Sequence, residues 1–126
     1  MTFIEIVKAF NEVEETDLDT HYRLMINANT LQYNVEADLA KATAQLSTDR
    51  LCAEANEARV SKTLSPKSVS EGKRLALSED SVLDSKSKVV DAKFEVDLLT
   101  AQRDFLERVY FCCKENLNRQ EKKVNR

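Results

Sequence analysis

Two lines of apolar residues run along the last third of the chain, between Ser81 and Val124. From Val89 to Leu117 the first line repeats in alternating steps of three and four residues, the spacing of a coiled-coil seam. Its members are Val82, Val89, Ala92, Val96, Leu99, Arg103, Leu106, Tyr110, Cys113, Leu117 and Val124. Because no glycine or proline interrupts the segment, the pattern predicts one long helix over 81–124 that packs against a partner helix.

A second apolar line, the second stripe, lies beside the first on the same predicted helix. Its members are Leu83, Val90, Phe94, Leu98, Ala101, Phe105, Val109 and Cys112. Two stripes usually need two partner helices, and the remaining chain is too short to cover both of them. We therefore expect a homo-oligomer whose subunit interface consists of Val90, Phe94, Leu98, Ala101, Phe105, Val109 and Cys112.

Residues 19–64 predict a second long helix, since glycine and proline are absent there as well. Its apolar ladder consists of Leu24, Ala28, Leu31, Val35, Leu39, Ala42, Leu46, Ala53, Val60 and Leu64. Asp49 and Glu57 occupy two positions of this repeat, so the apolar seam is not continuous. A residue that precedes a proline disfavours the helical backbone conformation, so we expect Pro66 to end this helix near Leu64.

A short amphipathic helix is predicted within 1–16, where Thr2 and Glu5 have the spacing of a capping box. It carries Phe3, Ile6, Val7, Phe10 and Val13 on one face. Asp17 or Asp19 then caps the long helix that follows. Two interpretations of the short helix stay open: it packs over one end of the fold, or it docks on a partner.

Residues 65–80 form the tip between the two long helices, with a short helix from about Val69 to Leu77. Ser68 and Glu71 have capping-box spacing at its start. The sequence thus predicts an all-α, single-domain fold over 1–126. We expect an antiparallel, coiled-coil-like hairpin of two long helices, with short helices at the N-terminus and at the tip.

Composition supports the helical prediction, since the chain has one glycine, one proline and many strong helix formers. The net charge of −3 argues against a protein whose whole surface is basic and binds nucleic acid. Its distribution is uneven, because residues 1–20 carry −5 and residues 114–126 carry +3. The three cysteines lack disulfide spacing, and neither a signal peptide nor a membrane-length apolar run is visible. These features predict a cytoplasmic protein with no membrane partner.

Catalytic chemistry is not visible in the sequence. His21 is the single histidine, and the adjacent Cys112 and Cys113 point in different directions on a helix. No nucleophile–base pair and no glycine-rich phosphate loop is found, so we expect no enzyme, cofactor, metal or small-molecule substrate. Arg103 interrupts the first apolar line. Its side chain either extends to solvent along its apolar stem, or pairs with an acid such as Asp49 or Glu57, or fixes the register between subunits.

Basic residues surround the predicted tip, namely Lys62, Lys67, Lys73 and Arg74. Such a group is often only a solubilising surface. The competing interpretation is contact with phosphate groups, which would be multiplied if several subunits present their tips together. Aromatic residues for base stacking are scarce near the tip.

The layout resembles a known family. A tip over Leu64–Glu71, the run Asp80–Leu83 opening the last helix, and the spacing Leu99-x-x-x-Arg103-x-x-Leu106 are similar to phage recombination proteins of the UvsY type. Those proteins are mediators that load a recombinase on single-stranded DNA, and the resemblance covers about two-thirds of the chain. It implies an oligomeric ring of helical hairpins that binds single-stranded DNA and a recombinase, with the basic tip as the DNA contact. The acidic net charge departs from this pattern.

Two hypotheses follow from the sequence. The first is a non-enzymatic phage-type accessory protein of DNA recombination or repair that binds single-stranded DNA, a recombinase, or both. The second is a structural or interaction protein, such as a phage assembly factor or an inhibitor of a host protein, that binds no nucleic acid.

Overall fold

Four α-helices make up the regular structure of the chain. The computed structural model describes residues 1–64 and 68–124. The helices are α1 (Phe3–Glu12), α2 (Leu18–Thr63), α3 (Val69–Ala76) and α4 (Asp80–Val124). In these described ranges all regular structure is helical, which confirms the predicted all-α class and the order of short and long helices.

Capping side chains mark the starts of three helices, as the sequence predicts. The Thr2 hydroxyl accepts the backbone N–H of Glu5 at 3.2 Å at the start of α1. The Ser68 hydroxyl accepts that of Glu71 at 3.1 Å at the start of α3. Asp17 caps α2, because its carboxylate accepts both the backbone N–H of Thr20 at 3.1 Å and the Thr20 hydroxyl at 2.6 Å. These two hydrogen bonds lower the pKa of the Asp17 carboxyl.

The first helix lies within the predicted range of 1–16. It ends at Glu12, and Val13 takes an extended conformation with φ −67° and ψ 133°. Glu12, Glu14 and Glu15 follow one another at its C-terminal end, where the helix dipole disfavours negative charge. The helix therefore ends where this acidic run begins.

By its contacts the chain forms two compact units. Unit 1 comprises Met1–Asp38 and Leu99–Arg126, and unit 2 comprises Leu39–Leu98. Each unit contains a segment of α2 packed with a segment of α4.

In unit 1, α1 packs with α2 and α4 around a common core. The buried apolar residues are Ile6, Leu24, Ala28, Val35, Leu99, Leu106, Val109 and Cys113. The Phe105 ring lies edge-on to Phe3 and Phe10, with ring centroids 5.6 and 5.9 Å apart. The segment after α1 is fixed by the Asn116 amide, which donates to the backbone carbonyl of Glu15 at 3.0 Å.

In unit 2, a helical hairpin is closed by α3. Val60, Ala76 and Val82 bring α2, α3 and α4 into one buried cluster, with Leu64 packed against it. The Asn56 amide donates to the carbonyl of Ser81 at 3.0 Å. One groove of unit 2 is lined by earlier α2 residues, including Arg50 and Ala53, and by later α4 residues, including Val89 and Val90. In this unit the two long helices therefore run antiparallel. None of the helices in 1–64 and 68–124 is long and apolar enough to cross a membrane.

Candidate functional site

The end of α2 and the short helix α3 place three of the four predicted DNA-contact residues in the tip of unit 2. Lys62 lies in the last turn of α2, and Lys73 and Arg74 lie in the last turn of α3. All three side chains are exposed, and no described carboxylate forms an ion pair with any of them. Lys67 lies outside the described residues.

A cavity of about 570 Å³ opens at this tip. Helix α2 and the start of α3 line it with Glu54, Glu57, Ala58, Ser61, Lys62, Ser68, Val69 and Lys73. Lys62 and Lys73 thus reach the same cavity from two different helices, whereas Arg74 is not among the lining residues. Ser61 is only 8% exposed. This volume falls in the range of ordinary small-ligand sites.

The electrostatics of the cavity are mixed. The start of α3, whose dipole is positive, adds to the charges of Lys62 and Lys73. On the α2 wall Glu54 and Glu57 are negative, and the Glu57 carboxylate is partly balanced by the Lys86 ammonium at 3.5 Å. A ligand that carries both a phosphate and hydrogen-bond donors matches this arrangement, because lysine binds phosphate and glutamate accepts base amino groups.

The second stripe is exposed along the part of α4 that belongs to unit 2. Leu83 is 50% exposed, Val90 66%, Phe94 68% and Leu98 43%. The first apolar line of the same segment faces α2, since Val82 is fully buried and Val89 and Val96 are half-buried. These four exposed residues, Leu83, Val90, Phe94 and Leu98, are called the open stripe below.

In unit 1, part of the second stripe is covered by the chain itself, which corrects one part of the predicted subunit interface. Val109 is completely buried, and Phe105 is half-buried between Phe3 and Phe10. The expectation that no segment of the chain covers this stripe is wrong for these two residues, since Val109 is fully buried and α1 packs against Phe105. Ala101 and Cys112 remain exposed.

Arg103 has a different partner from either acid considered in the sequence. Its guanidinium contacts the carboxylate of the neighbouring Asp104 at 3.1 Å. Glu57 instead faces Lys86, and Asp49 accepts the Gln45 amide at 2.9 Å. Arg103 is half-buried, so its stem adds to the packing of unit 1 while its charge stays near solvent.

The other residues that could act in catalysis or metal binding do not lie together. His21 is buried, and its Nδ1 lies 2.8 Å from the Asp17 carbonyl in the first turn of α2. Cys52 and Cys112 are exposed, and Cys113 is buried. Across 1–64 and 68–124, no three metal-binding side chains are grouped closely enough to hold an ion.

Burial gives the three cysteines different reactivities. Burial, followed by the charge of the neighbouring Cys112, raises the pKa of the Cys113 thiol to about 11. We expect an aromatic disulfide reagent at about pH 8 to modify Cys52 and Cys112 rapidly, and to modify Cys113 only in denaturant. Mass spectrometry of the labelled peptides distinguishes the sites. Rapid labelling of Cys113 in the folded protein would contradict its burial.

The same pKa predicts a pH dependence of stability. The pKa of Cys113 is higher in the folded than in the unfolded chain, where it is about 8.5. The contribution of the neutral thiol to stability is therefore complete below that pH and is lost as the pH rises toward about 11.

The sequence did not reveal that Glu54, Glu57 and the mostly buried Ser61 line a cavity at the tip. Glu54, Glu57 and Ser61 follow one another at steps of three and four residues, which places them on one face of α2. That spacing was visible in the sequence. The position of α3 over this face was not visible, and it is what makes the face a cavity.

The chain matches no protein-family model, no curated protein and no solved structure.

Proposed function

We propose that this protein is a non-enzymatic accessory protein of DNA recombination or repair. It binds single-stranded DNA through the tip of unit 2 and assembles as a homo-oligomer, in the manner of a mediator that assists a recombinase. The observation that carries the proposal is the set of exposed, unpaired cations at this tip, Lys62, Lys73 and Arg74. Within the described residues their charges are not neutralised by ion pairs and are available to phosphate groups.

Two further features support the proposal. The cavity at the tip offers lysines and glutamates together, which suits a nucleotide with its phosphate and its base amines. The layout of the tip and of the last helix also resembles recombination mediators of the UvsY type. The basic surface is local, since unit 2 contains ten basic and ten acidic residues.

A binding measurement tests the proposal directly. We expect a fluorescently labelled single-stranded oligonucleotide to bind with an affinity that falls steeply between low and moderate salt, as counterion release requires. The duplex of the same sequence should bind more weakly, because its bases are not available to the tip cavity. Anisotropy titrations at several salt concentrations check both points, and an absence of binding at low salt would refute the proposal.

One observation favours a second candidate, a protein that acts through helical protein–protein contacts alone. Glu54 and Glu57 line the same cavity as the lysines, and two carboxylates repel a polyanion. In this case the oligonucleotide does not bind at any salt concentration, and a protein partner occupies the tip.

A further inference from the structure

We propose that the open stripe on α4 binds the same stripe of a second copy of this chain, with the two α4 helices parallel. The inference rests on the homo-oligomer of the proposed function and names the surface and the orientation. Leu83, Phe94 and Leu98 are exposed on α4 of unit 2, and Val90 is exposed at the edge of the groove between α4 and α2. Val90 and Phe94 are each about two-thirds exposed, which is unusual for neighbouring large apolar residues on one face.

The spacing of the open stripe is that of a coiled-coil seam. Leu83 and Val90 occupy one repeating position of the heptad, and Ser87 and Phe94 occupy the other. Asp97 falls at the next core position and forms an ion pair with Lys93 at 3.3 Å, so the seam ends after Phe94. An interface of two heptads is small, and we expect weak association that depends on protein concentration.

The charged residues beside the seam indicate which helix binds there and whether it runs parallel or antiparallel to α4. Lys86 and Lys93 flank the open stripe on one side, and Asp84 and Asp91 flank it on the other. In a parallel pair, the lysine side of one helix meets the aspartate side of the other. Lys86, which also contacts Glu57 of its own chain at 3.5 Å, then faces Asp91 of the second copy. In an antiparallel pair, lysines face lysines and aspartates face aspartates, which is repulsive.

The chain also shows that this side of α4 accepts a helix. In unit 1, the amphipathic α1 packs against Phe105, which continues the second stripe. In unit 2 no described segment of the chain covers the open stripe. The charge pattern makes a second copy the matching occupant.

Light scattering over about a hundredfold range of concentration tests the association, because mass action must shift the mean molar mass. We expect the wild-type mass to rise with concentration, and Val90→Asp together with Phe94→Asp to keep the chain monomeric. A carboxylate buried in an apolar interface should weaken the association by at least about tenfold per site. The matched control is Leu51→Asp, since Leu51 is 67% exposed on α2 of the same unit and lies outside the stripe.

Circular dichroism of each variant confirms that helix content is unchanged. A wild-type chain that stays monomeric at every concentration would overturn the proposal, as would association that survives both stripe substitutions. These outcomes are distinguishable from failure of the proposed function, because DNA binding by the wild type is measured separately.

Disulfide cross-linking tests the orientation. Leu83→Cys is introduced into a chain with Cys52→Ser, Cys112→Ser and Cys113→Ala, and the folded protein is oxidised mildly. In a parallel pair the two introduced thiols are adjacent, so we expect a covalent dimer on a non-reducing gel. A chain that cross-links only when Leu83→Cys and Phe94→Cys proteins are mixed would show an antiparallel pair and overturn the inference.

Discussion

Replacing Lys62, Lys73 and Arg74 with glutamine lowers the affinity for single-stranded DNA by about a hundredfold at about 0.1 M salt, if each cation contacts one phosphate. The same replacement lowers the slope of log affinity against log salt by about two. The physical reason is counterion release, because each phosphate that a protein cation neutralises frees condensed ions into solution. The structure supports the choice of residues, since all three are exposed and unpaired within its described part.

The matched control removes the same amount of charge from the same unit. Lys41, Arg50 and Lys88 are exposed cations of unit 2, and none lines the tip cavity. Their replacement with glutamine should change the affinity only slightly, through the long-range field. Equal losses in the two triple variants would show that DNA responds to net charge alone. An unchanged affinity in the tip variant would show that the tip is not the DNA site.

Leu106→Ala destabilises the folded protein by about 2–5 kcal/mol, the cost of removing a buried leucine and leaving a cavity. Leu106 is 0% exposed in the core of unit 1, so the substitution removes a side chain that is buried completely. Urea unfolding followed by far-UV circular dichroism measures the change as a lower transition midpoint.

The control for this prediction is Leu51→Ala on the solvent face of α2. Leu51 is 67% exposed and alanine is the better helix former, so its replacement should change stability by less than about 0.5 kcal/mol. Similar midpoints for the two variants would contradict the burial of Leu106. A shift of only one of two transitions in Leu106→Ala would show that unit 1 unfolds separately from unit 2.

Local signals in the sequence predicted the helices well. Thr2, Asp17 and Ser68 cap helices in the structure because their side-chain oxygens need only a backbone N–H two or three residues away. Helix α1 ends at Glu12, at the start of the acidic run in which the sequence places its end.

The candidate site was predicted only in part. Lys62, Lys73 and Arg74 are placed in the tip by their position near a helix end, which a sequence shows. Glu54 and Glu57 become part of the site because α3 packs over α2 through the contact of Ala76 with Val60 and Val82. That packing depends on three helices meeting in space, and no local pattern encodes it.

The sequence by itself determined that the chain is all-α, where the two long helices lie, and which side of α4 faces α2. Those properties depend on backbone propensity, caps and periodicity, which act between residues close in the chain. Only the tertiary structure decided how the second stripe is divided, with Phe105 packed against α1, Val109 buried, and Val90 and Phe94 exposed. The physical reason is that an apolar stripe specifies that it must be buried, whereas the segment that buries it depends on the path of the whole chain.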